Sequence, residues 1–256
     1  MNTKINSPLC LISAALLLAA CSEEDVVHIS DRDSNPIIFR TSLPTLTSRA
    51  QIVTKDNLPH FSVTAFNPAD RDLVTPAGLM KEYISNERII NEHGQELLTS
   101  EKCLWPAPGK EGVLAFFAFY PDLSDGAKLV NETTFSGNNL AIDYKLTDFR
   151  VAADIAEQQD FITAYTSGSI DENLFSGVTF NFEHKLSRVE LHAWSANKSC
   201  NIEIAGVRIG GIGVRGTFDF KSGTYDETFY YRYGTDQHRR RLSEDHVADL
   251  LMLEYY

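Results

Sequence analysis

Short apolar stretches that alternate with polar residues recur along the chain from residue 37 to residue 220. Residues 61–66 largely alternate between apolar and polar side chains, which predicts a half-buried strand. Residues 113–120 are almost wholly apolar and end at Pro121, which predicts a strand buried on both faces. Similar patterns predict further strands at residues 37–41, 139–144, 160–165, 178–182, 188–194, 202–209 and 216–220. Their close spacing favours an antiparallel β-sandwich.

Helical patterns are few. Residues 151–159 fit a short helix, and residues 243–253 have a helical apolar spacing behind a capping Ser243. An aromatic run at residues 229–233 predicts one more strand. The chain is therefore predicted to be all-β.

The first twenty residues have the pattern of a secretory signal peptide. Lys4 precedes an apolar stretch over residues 9–20, which is too short to span a hydrocarbon core of about 30 Å. Small residues stand directly before Cys21, as in bacterial lipoproteins, where the cysteine accepts a diacylglyceryl group and acyl chains such as palmitate. We predict that residues 1–20 are removed and that Cys21 is lipidated. The alternative is an ordinary signal peptide that contains a cysteine.

Residues 21–35 are polar and acidic, which predicts a flexible tether between the lipid and the fold. The cluster Ser22–Asp25 resembles the surface-export signal of lipoproteins in the Bacteroidetes phylum. This resemblance implies a location on the outer face of the cell outer membrane. A plain solvated spacer is the alternative.

Composition narrows the classes of function. The chain carries 23 Lys plus Arg against 35 Asp plus Glu, a formal net charge of −12, and this sign disfavours nucleic acid as a partner. An apolar content of 43% is typical of a globular fold. Cys103 and Cys200 either pair or lie apart as buried thiols, and their spacing is not that of a zinc site.

Candidate enzyme motifs have more ordinary explanations. Gly211, Gly213 and Gly216 have the spacing of a dinucleotide-binding loop, but the alternating residues that follow predict a strand where a helix is required. His184 and His192 are predicted to be structural. We therefore predict no catalytic residue, no metal and no cofactor. The aromatic residues expected to lie in the core are Trp105, Phe116, Phe117, Phe119 and Tyr120.

Taken in order, these features resemble the fimbrillin family of Bacteroidetes, the subunits of major and minor fimbriae and their lipoprotein relatives. The resemblance extends from Leu18 to about Phe220. The residues that carry it are Leu18–Cys21, Ile38–Phe39, Thr47–Ala50, Val63–Asn67, Trp105–Pro106, Phe116–Pro121, Asp160–Ala164 and Phe180–Val189.

The family resemblance implies two transthyretin-like β-sandwich domains, which we place at residues 36–175 and 176–256 with a border near Ser176. The second is expected to be short, because residues 225–256 do not resemble the later strands of the family. The implied function is that of a structural or tip subunit of an adhesive pilus. Its implied partners are other fimbrillin subunits, joined by β-strand addition.

In the family, a surface protease that cuts after arginine removes the first strand and opens a groove for a strand of the next subunit. The bond between Arg49 and Ala50 stands where such a cut is expected, between polar and turn-prone flanks. Cleavage there would transfer the protein from the outer membrane to the fimbrium. A solvated loop arginine is the alternative interpretation of Arg49.

A second function stays open. The chain also fits a monomeric surface lipoprotein whose sandwich loops bind a glycan or a protein on a host or bacterial surface.

Overall fold

The computed structural model describes residues 35–44, 53–91, 95–152, 157–189, 212–231 and 251–253 of the chain. All of them lie in one compact unit, Asp33–Tyr256. Their only α-helix is α1 (Ile170–Asn173), and no helix among them is long and apolar enough to cross a membrane. The strands are β1 (Phe39–Ser42), β2 (His60–Phe66), β3 (Ile84–Ile90), β4 (Leu114–Tyr120), β5 (Lys128–Asn131), β6 (Thr134–Ser136), β7 (Asn139–Ala141), β8 (Tyr144–Arg150), β9 (Ile162–Gly168), β10 (Val178–Asn181), β11 (Glu183–His184), β12 (Ser187–Val189), β13 (Ile212–Asp219), β14 (Thr224–Tyr231) and β15 (Leu251–Leu253).

Most of these strands form two antiparallel sheets. The larger has the order β11-β9-β4-β2-β3, and the smaller has the order β14-β13-β8-β5. Strands β6 and β7 form a separate hairpin. Two pairs are parallel, β1 with β10 and β12 with β15. The predicted all-β sandwich class is confirmed, and the parallel pairs are an addition to it.

Strand β4 is the centre of the larger sheet and is buried on both faces, as predicted. Phe116 and Ala118 point to one side of the sheet, whereas Phe117 and Phe119 point to the other. Because successive side chains of a strand alternate between its faces, an uninterrupted apolar run supplies two cores at once.

The first core lies between the larger sheet and the β1–β10 pair. The second core lies between the opposite face of that sheet and the smaller sheet. The buried aromatic residues of the first core are Phe39, Phe61, Trp105, Phe116, Phe180 and Phe182. Those of the second core are Phe66, Phe117, Phe119, Tyr144, Phe149, Phe161, Phe218, Phe220 and Tyr225.

Most strand positions are confirmed, with shifted ends. The half-buried strand predicted for residues 61–66 is wrong in its burial, because β2 lies inside the larger sheet between two cores and Ser62 and Thr64 are buried as well. The predicted strand at residues 139–144 is wrong as one element, because β7 ends at Ala141 and β8 begins at Tyr144. The aromatic run beyond residue 228 lies partly in β14. The predicted strand at residues 202–209 lies outside the described residues, as do residues 190–194.

The helix predicted at residues 243–253 is wrong at its end. Leu251–Leu253 form β15, which pairs with β12, and residues 243–250 lie outside the described residues. The helix predicted at residues 151–159 does not begin at Val151, whose backbone N–H donates to the Val214 carbonyl at 2.9 Å and so continues the pairing of β8 with β13. Strand β13 satisfies this donor, which a helix start would leave unpaired. Residues 153–156 lie outside the described residues.

Three strand pairs cross the domain border predicted near Ser176. Strand β10 pairs with β1, β11 with β9, and β13 with β8. The division of the chain into two sandwich domains stays a prediction.

Candidate functional site

Strand β1 lies between two pieces of backbone that are distant in sequence. On one side, the Val178 N–H donates to the Ile38 carbonyl at 2.8 Å. On the other, Phe39 and Leu98 exchange two backbone hydrogen bonds, at 2.7 and 2.9 Å. Strand β1 makes no ladder with β2, the strand that follows it in sequence. Strand β1 therefore covers two backbone edges, that of β10 and that of the segment around Leu98. Loss of β1 would expose both edges.

The inward side chains of β1 and the residues before it fill the first core. Ile37 and Phe39 are fully buried. The Phe39 ring stacks on Phe180 with centroids 5.5 Å apart and meets Phe61 and Phe116 edge to face. Thr41 is the next inward residue, and its small side chain is buried without a hydrogen-bond partner for its hydroxyl. We call the space that β1 fills the strand groove.

Arg40 points to the rim of the strand groove. Its Nε donates to the Ser176 carbonyl at 2.7 Å, and its Nη1 lies 2.7 Å from Glu96 Oε1. Its side chain is one-third exposed, whereas that of Glu96 is 72% exposed. One guanidinium therefore joins both walls of the groove across the top of β1.

Gly177 brings the β10 side of the groove close to β1. Its φ of +76° lies in the left-handed region, which glycine adopts without strain. A Cβ built on Gly177 would lie 3.1 Å from the Ile38 carbonyl oxygen and 3.2 Å from its Cγ2. Only glycine lets the two backbones approach this closely.

The first described residue after the end of the β1 segment is Val53, which is buried in the first core. The Val53 N–H donates to Asp160 Oδ2 at 3.2 Å, and the same oxygen lies 2.6 Å from His184 Nδ1. Asp160 is only 4% exposed. The buried Asp160 carboxylate thus fixes the start of the segment that leads into β2. His184 has the structural role predicted for it, because its ring contacts this carboxylate.

Cys103 has a free and fully buried thiol beside the groove. Burial, with a smaller effect of Glu87, raises the pKa of this thiol to about 12. The Cys103 carbonyl accepts a hydrogen bond from the Ile37 N–H at 2.8 Å. A thiol with so high a pKa is unreactive near neutral pH. Cys200 lies outside the described residues.

The other histidine and glycine residues considered for a functional role make structural contacts. His60 Nε2 lies 3.1 Å from Asp122 Oδ1, and burial lowers the pKa of His60. Gly213 and Gly216 lie within β13, so the predicted strand, rather than a dinucleotide loop, is confirmed there. Among the described residues, no three His, Cys, Asp or Glu side chains are grouped closely enough to hold a metal ion.

The lipidation and cleavage residues from the sequence are not placed. Cys21, Arg49, Ala50 and His192 lie outside the described residues. The five predicted core aromatics do lie in the fold, with Trp105, Phe116, Phe117 and Phe119 buried and Tyr120 partly buried against the first core.

Sequence reasoning missed the rim of the groove and the carboxylate behind it. These residues come from three separate parts of the chain: Glu96, the adjacent pair Ser176 and Gly177, and Asp160. The Ser-Gly pair before an apolar strand is the one local signal, because it is typical of a turn.

Together, the two sheets and the enclosed first strand define an all-β protein of the sandwich class. A family model described as fimbrillin-like matches residues 48–238, and the chain belongs to this family. The match begins after β1 and includes Arg49. Neither curated proteins nor solved structures gave a significant match. Family membership suggests a fimbrial subunit at the cell surface that associates with other pilus subunits, a structural role rather than an enzymatic one.

Proposed function

We propose that the chain is a surface lipoprotein of the fimbrillin type, exported with a lipid on Cys21 and assembled into an adhesive pilus by strand addition. Cleavage between Arg49 and Ala50 removes β1, and a strand of another subunit then fills the strand groove. The observation that carries the proposal is the position of β1, which closes the first core without pairing with its neighbour in sequence.

The connectivity supports removal of β1 by a single cut. Arg49 lies between β1 and β2 in sequence, and within the described part of the chain β1 pairs with β10 and with the backbone near Leu98. One cleaved bond therefore separates β1 from the rest of the chain, while the larger sheet keeps all its strand pairs. Val53, which follows the proposed cleavage bond, is held to the fold by Asp160.

The energetics require a replacement for β1. Burial of a large apolar side chain is worth about 1.5–3 kcal/mol, and β1 with the two residues before it buries both Ile37 and Phe39. Its loss would also leave the N–H and carbonyl groups of two edges without partners, which costs stability where water is excluded. An empty groove is therefore a strong acceptor for an extended segment.

A strand from another subunit satisfies these demands in the same way as β1 does. Main-chain hydrogen bonds to the two edges supply affinity, and alternate side chains that enter the groove fix the register. The groove selects a large apolar residue where Phe39 lies and a small one where Thr41 lies.

Protease treatment followed by electrophoresis in mild detergent tests this function. The purified chain is cut with an arginine-specific protease and mixed with a full-length fimbrillin-family subunit as the donor. We expect a new N-terminus at Ala50 and a ladder of assemblies that survives the detergent. R49A should abolish both, whereas R71A, which removes an exposed arginine elsewhere, should change neither.

A cut protein that remains monomeric with the donor present would overturn assembly by strand addition. Selective binding of the uncut monomer to a glycan would then support the loop-binding alternative.

A further inference from the structure

We infer that the rim of the strand groove selects a donor strand with an arginine directly after its buried aromatic or apolar residue, at the position that Arg40 occupies in β1. The partner is thus an extended segment of another subunit with an apolar residue, an arginine and a small residue in succession. This inference rests on the proposed function, because it assigns the specificity of the same groove.

The geometry of Arg40 carries the inference. Its Nε donates to a backbone carbonyl on one wall, and its Nη1 meets a carboxylate on the other. The two acceptors, Ser176 O and Glu96 Oε1, belong to segments on opposite sides of β1. When β1 leaves, both acceptors lose their donor, and an incoming strand must replace it.

Arginine fits this rim better than lysine. The guanidinium offers several N–H donors in a fixed plane, so two of them reach acceptors on opposite walls at once. An ammonium group is a single point on a flexible stem and favours one wall over the other.

A glutamate at the same position would be rejected. Its carboxylate would face Glu96 and the Ser176 carbonyl, which are both acceptors, so the strand would lose two hydrogen bonds and gain repulsion. Because Glu96 is largely exposed, solvent screens part of this repulsion. We therefore expect discrimination of about tenfold in affinity rather than complete exclusion.

Gly177 explains why the selection occurs at the rim. A Cβ at Gly177 would lie 3.5 Å from Arg40 Cγ, so the glycine leaves space for the arginine stem at the wall that holds Ser176. A donor strand with an arginine at this position would use the same space.

Binding of synthetic peptides to the cut protein tests the inference. The protein that begins at Ala50 is isolated, the protease is inhibited, and fluorescent peptides of residues 35–44 are titrated with the natural sequence, R40K or R40E. We expect the natural peptide to bind most tightly, R40K less tightly, and R40E about tenfold more weakly than the natural one.

The E96K protein supplies the reciprocal measurement, and E101K is the matched control with the same charge change on an exposed residue of the same segment. We expect E96K to prefer the R40E peptide and E101K to keep the natural preference. Equal binding of the natural and R40E peptides, or the same preference in E96K, would overturn the inference while the groove remains an acceptor. Binding of no peptide would overturn the inference together with the proposed function.

Discussion

Phe39 is the residue through which β1 contributes most to the first core. It is fully buried, and its ring contacts three other phenylalanine rings from β2, β4 and β10. Aromatic pairs of this kind add stability beyond the area that they bury. The side chain thus anchors β1, and it is the part of the first core that removal of β1 would take away.

Replacement of Phe39 by alanine should destabilise the uncut protein by about 3–5 kcal/mol, because it leaves a cavity among the surrounding rings. The free energy of unfolding in urea measures this change. F175A is the matched control, since Phe175 is 77% exposed, and it should change stability by less than about 0.5 kcal/mol. Equal effects of the two substitutions would contradict the assigned role of Phe39.

If Cys21 carries the lipid as proposed, its replacement by alanine should abolish acylation and release the protein from the membrane, because the acceptor thiol is gone. Metabolic labelling with a radioactive fatty acid measures this. C103A is the control, and it should leave the labelling unchanged, since Cys103 is buried in the fold. Persistent labelling of C21A would show that the lipid is attached elsewhere.

At the scale of elements, the turn that follows the predicted cleavage bond is held by a charged contact. Asp160 accepts the Val53 N–H and contacts His184 on β11, so one carboxylate joins the start of this turn to the edge of the larger sheet. This contact is independent of β1 and should persist after cleavage.

Replacement of Asp160 by asparagine should cost about 1–3 kcal/mol, because the buried hydrogen bonds lose their charged acceptor. Hydrogen exchange should quicken at the amides of residues 53–58 before it does in β4. D171N is the control, since Asp171 is exposed on α1. Unchanged exchange at Val53 in D160N would refute the assigned contact.

The elements also show how far the sequence predicts this fold. Strand β4 and its two buried faces follow from an uninterrupted apolar run. Strand β3 was missed because its sequence is largely polar, with only Ile84 and Ile89 buried. A register shift opposite Ala65 and a positive φ at Asn86 also break its alternation.

The candidate site was predictable only in part. The strand at residues 37–41 follows from a local pattern, but nothing in that pattern marks Arg40, which lies inside it, as a rim residue. The pairing of β1 with β10 does not, because it joins Phe39 to Val178 in a parallel register across most of the chain. The Arg40–Glu96 pair also joins residues that are distant in sequence, so no local sequence pattern predicts it.

At the scale of the whole molecule, β1 determines whether the first core is closed. It pairs with two backbone edges and covers the aromatic rings of the first core. The second core contains no residue of β1. We therefore expect cleavage and loss of β1 to open the first core selectively and to leave the two-sheet framework around the second core intact.

The reactivity of the Cys103 thiol tests this central claim most directly. Alkylation at pH 8, followed residue by residue with mass spectrometry, should be negligible in the uncut protein because the thiol is buried and its pKa is raised to about 12. After loss of β1, water should reach the thiol, its pKa should fall towards the ordinary range, and alkylation should become fast. Addition of a donor strand should restore protection. A thiol that stays protected after β1 has gone, or stays reactive in the assembled protein, would contradict strand replacement.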